Sequence, residues 1–233
     1  MTVAQEKAEK TASIATGDRV MDAFVVEALV QPPGVGILPA VVLIHDGEGV
    51  NEEVKAYARR IAGAGHFVIA PDIRHRLEPA PKASSVDLGR EIVAAISFAR
   101  KSGGERDRKV AVVGLGAGGF VAFLGACRAA VTVAIVLYGG GIERIRRTVR
   151  SERGAMKRRA APVRCIFGAE DALVSASDVG TVRERFVEYR VPHEFLVYPR
   201  VGADFLNDQS PGHRPVVAAD AWDRILQWLR AAG

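Results

Sequence analysis

Short continuous apolar runs, rich in β-branched residues, recur along this chain with polar, amphipathic stretches between them. The runs are Pro39-AVVLIH-Asp46, His66-FVIAP-Asp72, VAVVG from Val110, VTVAIVLYG from Val131, VRCIFG from Val163 and HEFLVYP from His193. Runs of this length and composition predict strands buried on both faces. The stretch VMDAFVVEALV from Val20 adds one or two strands, closed by Pro32-Pro33-Gly34. Between the runs a different period takes over. From Ser84 to Lys101, Leu88, Ile92, Ile96 and Ala99 fall three or four apart and make one helical stripe. Further helices are expected over 51–64, from the glycine-rich turn after Val113 to about Arg128, over 177–189 and over 216–231. The last carries Trp222, Ile225, Leu226 and Leu229 on one face. Strands alternating with helices predict an α/β fold, a mainly parallel sheet with helices on both faces. The pattern reads as one domain over 19–233, with polar residues 1–18 as a flexible tail.

Length and composition agree with that outline. A chain of 233 residues suits a single α/β domain. Its 48% hydrophobic and 25% charged residues exclude a mostly disordered protein. No apolar run approaches the roughly eighteen residues of a membrane span, and the N-terminal stretch MTVAQEKAEKTASIATGD lacks the apolar core of a secretion signal. Cys127 and Cys165 cannot make a disulfide scaffold, so the expected compartment is the cytoplasm.

Charge changes the picture only locally. The formal charge is +5, but residues 142–159 hold seven arginines and Lys157 against Glu143 and Glu152, a local excess of +6 that leaves −1 for the remainder. Such a run is a solvated helical face or a subunit contact, and the second reading leaves a homodimer open. No aromatic interleaving or recognition module accompanies it, so neither nucleic acid nor membrane is an expected partner.

In parallel sheets ligands sit beyond the carboxyl ends of the strands. Three of those ends carry Asp46, Asp72 and Asp171. The turn Gly114-Leu115-Gly116-Ala117-Gly118-Gly119 lies between a buried strand and a helix, the setting of a nucleophile elbow. A dinucleotide loop is the rival, but the G-x-G-x-x-G spacing is absent, and no cofactor is expected.

With those segments in order, residues 17–229 resemble the dienelactone hydrolase family of α/β-hydrolases. PAVVLIHDGEGVNEEVKAYARRIAGAGHFVIAPDI is similar to that family's segment after its first buried strands, VAVVGLGAGG to its elbow, FGAEDALV to its acid loop, YPRVGADFLND to its histidine loop, and PVVAADAWDRILQWL to its final helix. The resemblance implies the α/β-hydrolase fold. It also places the family's Cys or Ser nucleophile on Gly116 and its histidine on Ala203, with Asp204 next. It retains the triad acid as Asp171, puts Asp46 where the family often has a glutamate, and matches a substrate-carboxylate arginine to Arg76. A second such arginine falls on Asn207.

Glycine and alanine supply neither a nucleophile nor a proton acceptor, and losing such a pair typically costs on the order of 10⁶ in turnover. The N–H of Ala117 and one from the turn after Asp46 remain as a prospective oxyanion hole. Cys127 lies eleven residues past Gly116 on the same helix and Cys165 inside a strand, so neither replaces the nucleophile. Ser175 reads as a loop serine bonding local backbone, His213 as an entrance residue, and His66 and His193 stand at the wrong strand ends. Three readings stay open. In the first, Asp171, Asp204 and Asp46 perform non-covalent acid/base chemistry on a small carbonyl or carboxylate compound: isomerisation, cyclisation, hydration or decarboxylation. Arg76, Ala117, Gly116, Ala203, His45, Glu48 and His75 would line its pocket. In the second the protein is a pseudoenzyme that binds a ligand or partner. In the third it hydrolyses small esters or lactones with water activated by His45, His75 or a carboxylate. No metal site is expected, because H-x-x-x-H and paired cysteines are missing.

Overall fold

The computed structural model describes residues 8–17, 19–27, 36–73, 84–102, 108–159 and 161–233. Its strands are β1 (Ala8–Ala15), β2 (Val20–Glu27), β3 (Ala40–Ile44), β4 (Val68–Pro71), β5 (Val110–Leu115), β6 (Ala134–Leu137), β7 (Val163–Gly168) and β8 (His193–Tyr198). They form one sheet in the order β1-β2-β4-β3-β5-β6-β7-β8. From β4 to β8 every neighbouring pair is parallel, while β1–β2 and β2–β4 are antiparallel. The helices are α1 (Glu52–Gly63), α2 (Ser85–Lys101), α3 (Gly118–Arg128), α4 (Gly141–Thr148), α5 (Arg153–Arg159), α6 (Ala176–Tyr189) and α7 (Pro215–Ala231).

Alternation along the strands sends successive side chains to opposite faces. Val42, Val112, Val136 and Cys165 meet α2, α3, α4 and α6 on one side. Val41, Val113, Ile135 and Ile166 meet α1 and α7 on the other. The stripe read from the sequence is the buried face of α2, with Leu88, Ile92, Ile96 and Ala99 all inside. On the opposite layer Trp222 of α7 meets the Tyr57 ring of α1 edge-on, with centroids 5.0 Å apart. Helix starts follow local chemistry as well. Asn51 caps α1 by accepting from Val54 N–H, and Ser84 with Asp87 forms a capping box on α2.

One expectation needs correcting. Residues 8–15, expected within a flexible tail, form the edge strand β1, paired along its whole length with β2. The polar composition misleads because an edge strand keeps one side in water, where Lys10 and Glu9 make ion pairs with Glu27 and Arg59. Over its described part, Val20–Glu27, the stretch from Val20 is one strand; the rest of it and the Pro32-Pro33-Gly34 stop lie outside the described residues.

Candidate functional site

Adjacent parallel strands finish side by side, so their carboxyl ends bring distant segments together. β3 leads into His45-Asp46, β5 into Gly116-Ala117, β6 into Tyr138-Gly139, β7 towards Asp171 and β8 towards Asp204.

The β5–α3 turn is built for close approach. Gly116 has φ +51°, in the left-handed region that favours glycine, and its N–H donates to Leu137 O at 2.9 Å. A Cβ placed on Gly116 would lie 2.1 Å from Asp46 Oδ2, so the carboxylate occupies the space into which a side chain here would project. Asp46 Oδ1 accepts from the N–H of Gly47 at 2.8 Å and of Ala117 at 3.0 Å. The second donor stands at the N-terminus of α3, where the helix dipole favours an anion. The prospective oxyanion hole is therefore filled by the chain's own Asp46, which corrects the expectation that Ala117 N–H faces substrate. The carboxylate is short enough to fold back onto its own loop, which a backbone-only reading of the hole overlooks.

Beside this carboxylate lies a cavity of about 260 Å³. Asp46, Glu48, Glu53, Tyr138, Asp204 and Asn207 are among its walls. Asp204 adopts φ +57° and is exposed as a residue, yet its carboxyl titrates above the usual aspartate range. Desolvation is the largest cause, followed by the charges of Asp171, Asp46 and Glu48. Burial likewise raises Glu53, whose Oε1 accepts from the Tyr138 hydroxyl at 3.3 Å. Burial also pushes the phenols of Tyr138 and Tyr57 upward, so both remain donors. Glu53 and Tyr138 are the residues that the sequence analysis missed. Tyr138 follows β6 directly, and the same strand-end rule that selects Asp46 would have found it. Glu53, in the first turn of a helix, carries no such signal.

Of the other expected site residues, Asp171 is buried, accepting from Gly139 N–H at 2.8 Å and Leu173 N–H at 2.9 Å. It clamps the ends of β6 and β7 and reaches the cavity through its charge on Asp204. Ala203 precedes the cavity-lining residue and is not itself among the walls. His45 is fully buried: its Nε2 accepts from Ile73 N–H at 3.0 Å and lies 3.5 Å from Asp72 Oδ1, while Nδ1 contacts the carbonyl of Asp46. Both ring nitrogens serve the loop, which overturns its assignment to the pocket wall. A Cβ at Gly118 would come 2.4 Å from the His45 carbonyl, so α3 presses directly on this loop. His75 and Arg76 lie outside the described residues. Ser175 caps α6 by accepting from Asp178 N–H, and burial raises both cysteine thiols. His213 borders a second cavity with Tyr57, Arg60 and Trp222. Among the described residues, no three His, Cys, Asp or Glu side chains are grouped as a metal ion would require.

The basic segment has partners within the chain. Arg144 stacks on Phe120 with its guanidinium 4.4 Å from the ring centroid, Arg146 pairs with Asp178, Arg147 with Glu143, and Arg153 and Lys157 stand over Tyr189.

The family profile described as the dienelactone hydrolase family matches residues 25–233. A Synechocystis protein named as a carboxymethylenebutenolidase is 26% identical over 217 residues, covering 85% of this chain and 88% of the relative. A Bradyrhizobium protein named as a 2-oxo-3-(5-oxofuran-2-ylidene)propanoate lactonase is 25% identical, covering 87% of each. Among solved structures, a dienelactone hydrolase-like promiscuous phosphotriesterase from metagenomic libraries superposes with a TM-score of 0.80 at 20% identity, over 97% of this chain and 98% of that one. At that identity the superposition speaks to the α/β-hydrolase fold.

Proposed function

The chain belongs to the dienelactone hydrolase family, and from that premise we propose that it acts on a small carbonyl compound with carboxylates in place of a Cys or Ser paired with a His. The observation that carries this reading is Asp46 Oδ2, which stands 2.1 Å from the point where a side chain on Gly116 would begin. Asp46 thus takes the place of the missing nucleophile, with Oδ1 steadied by two backbone donors. Oδ2 is the base, removing a proton from a carbon beside the carbonyl. The negative charge that develops on the carbonyl oxygen needs a proton donor close by. Asp204, whose pKa is raised by burial and by its acidic neighbours, supplies it. This division of labour suits isomerisation, cyclisation or hydration without a covalent intermediate. Carboxylates on several walls favour a neutral carbonyl compound over one bearing its own carboxylate.

Proton exchange in D₂O tests the assignment. Small neutral ketones and lactones are incubated with the protein, and loss of the α-proton signal is followed by NMR. Exchange above the uncatalysed rate is expected, falling by about 10²–10⁴ in Asp46→Asn and in Asp204→Asn. Exchange that is equally fast in both variants would overturn the roles of the two carboxyls.

A further inference from the structure

We propose that the same pocket opens small neutral epoxides to diols, with Asp46 Oδ2 as a nucleophile that forms a transient ester. The inference shares with the preceding reading the placement of Asp46 and Asp204 as the proton donor; it needs no acidic C–H and no carbonyl group in the substrate.

The two oxygens of Asp46 are not equivalent. Oδ1 accepts two backbone N–H bonds, while among the described residues no hydrogen bond holds Oδ2, which fills the position over the elbow. An oxygen held by two N–H groups is the one that must become the oxyanion when water later attacks Cγ. The other is the one free to attack carbon. A carboxylate that must first carry the substrate and then release it needs both provisions. Asp46 has both before any ligand arrives.

The walls select the electrophile. A displaced halide or other anion would depart into Glu48, Glu53 and Asp204. An epoxide avoids this, because its leaving oxygen stays attached and needs a proton. Burial and neighbouring charge keep the Asp204 carboxyl protonated to higher pH than usual, so a donor is at hand. Esterification also turns Asp46 neutral, which removes one charge from a group of mutually repelling carboxylates.

The steps balance. Oδ2 attacks a ring carbon, the ring C–O bond breaks, and the ring oxygen takes the proton of Asp204, leaving a β-hydroxyalkyl ester on Asp46. The Asp204 carboxylate then takes a proton from water as its oxygen adds to Cγ. The displaced electron pair rests on Oδ1 beneath the N–H groups of Gly47 and Ala117. Collapse expels the alkoxide, which recovers a proton from Asp204. Asp46 loses its acid proton back to Asp204, and the sum is epoxide plus water giving diol.

Isotope placement tests this. The full-length protein, in molar excess over 1,2-epoxybutane, completes a single turnover in H₂¹⁸O, and both the diol and the peptide containing Asp46 are weighed by mass spectrometry. The expected result is an unlabelled diol with one ¹⁸O in the Asp46 carboxyl, and acid quench at early times should trap the alkylated Asp46 peptide. Asp46→Asn, which keeps an oxygen for the two N–H donors, should give no adduct and no diol above background. Label in the diol with none in Asp46, an adduct on another carboxylate, or no diol and no adduct would each overturn the proposal. None of those outcomes touches the exchange assay, which can succeed or fail separately.

Discussion

Asp46 and Gly116 make sense only as a pair. A Cβ at 116 would be strained by φ +51° and would meet a carboxylate oxygen at 2.1 Å. Gly116→Ala should therefore lose about 1–3 kcal/mol in urea unfolding. Adding Asp46→Gly should recover part of that loss, since it removes the clash but not the backbone strain; additivity of the two changes would show that they do not touch. Asp204 supplies a second residue-scale prediction, with a definite sign. Its folded pKa lies above the unfolded value, so the native state is penalised as pH rises through the folded pKa. Asp204→Asn should raise Tm at pH 7.5 and give no gain near pH 2.5, where the wild-type carboxyl is protonated in both states. An equal shift at both pH values would remove charge repulsion as the cause.

At the scale of elements, the two covering layers have different tasks. α7 closes one face of the sheet through Trp222, which is 2% exposed, packs on Tyr57 and carries Arg60 above its ring at 4.7 Å. Trp222→Ala should cost about 3–5 kcal/mol by denaturant titration, because the layer cannot close over so large a void. The capping box at the start of α2 is smaller in effect. Ser84→Ala should cost about 1 kcal/mol and leave the cavity untouched, as Ser84 serves only the first turn. β1 shows how an edge strand escapes a pattern search: its apolar positions are few, and β2 supplies the backbone partners that make it a strand.

Across the whole molecule, charge is divided by location. The arginine-rich segment lies on α4, α5 and their junction, braced against α3 and α6 by Arg144 on Phe120 and Arg146 on Asp178. The cavity beyond the strand ends is acidic. Replacing Arg146, Arg147 and Arg150 together by Gln should lower stability by about 1 kcal/mol or less, most of it from the Arg146 pair. The rate of α-proton exchange at the cavity should not change; a change would mean that the basic face reaches the site. Among the described residues no helix is long and apolar enough to cross a membrane.

Apart from α4 and α5, which it did not mark out as helices, the chain's hydrophobic rhythm alone determined the order of strands and helices after Val20, the two-sided covering of the sheet and the turn that carries Gly116. Apolar runs and helical stripes are local properties, and each buried strand had to be continuous in sequence to be covered on both faces. That residue 116 is a glycine and residue 203 an alanine was equally legible; the roles expected at those positions came from the family resemblance. What only the tertiary structure decided is what fills the space. Asp46 and Ala117 are separated by 71 residues and meet because β3 and β5 are parallel neighbours whose ends coincide. That meeting turned a prospective hole for substrate into a seat for a carboxylate. It also set His45 behind the loop and brought Glu53 and Tyr138 into the wall. Contacts of this kind depend on the direction of a side chain at the end of a strand, which no period in the sequence records.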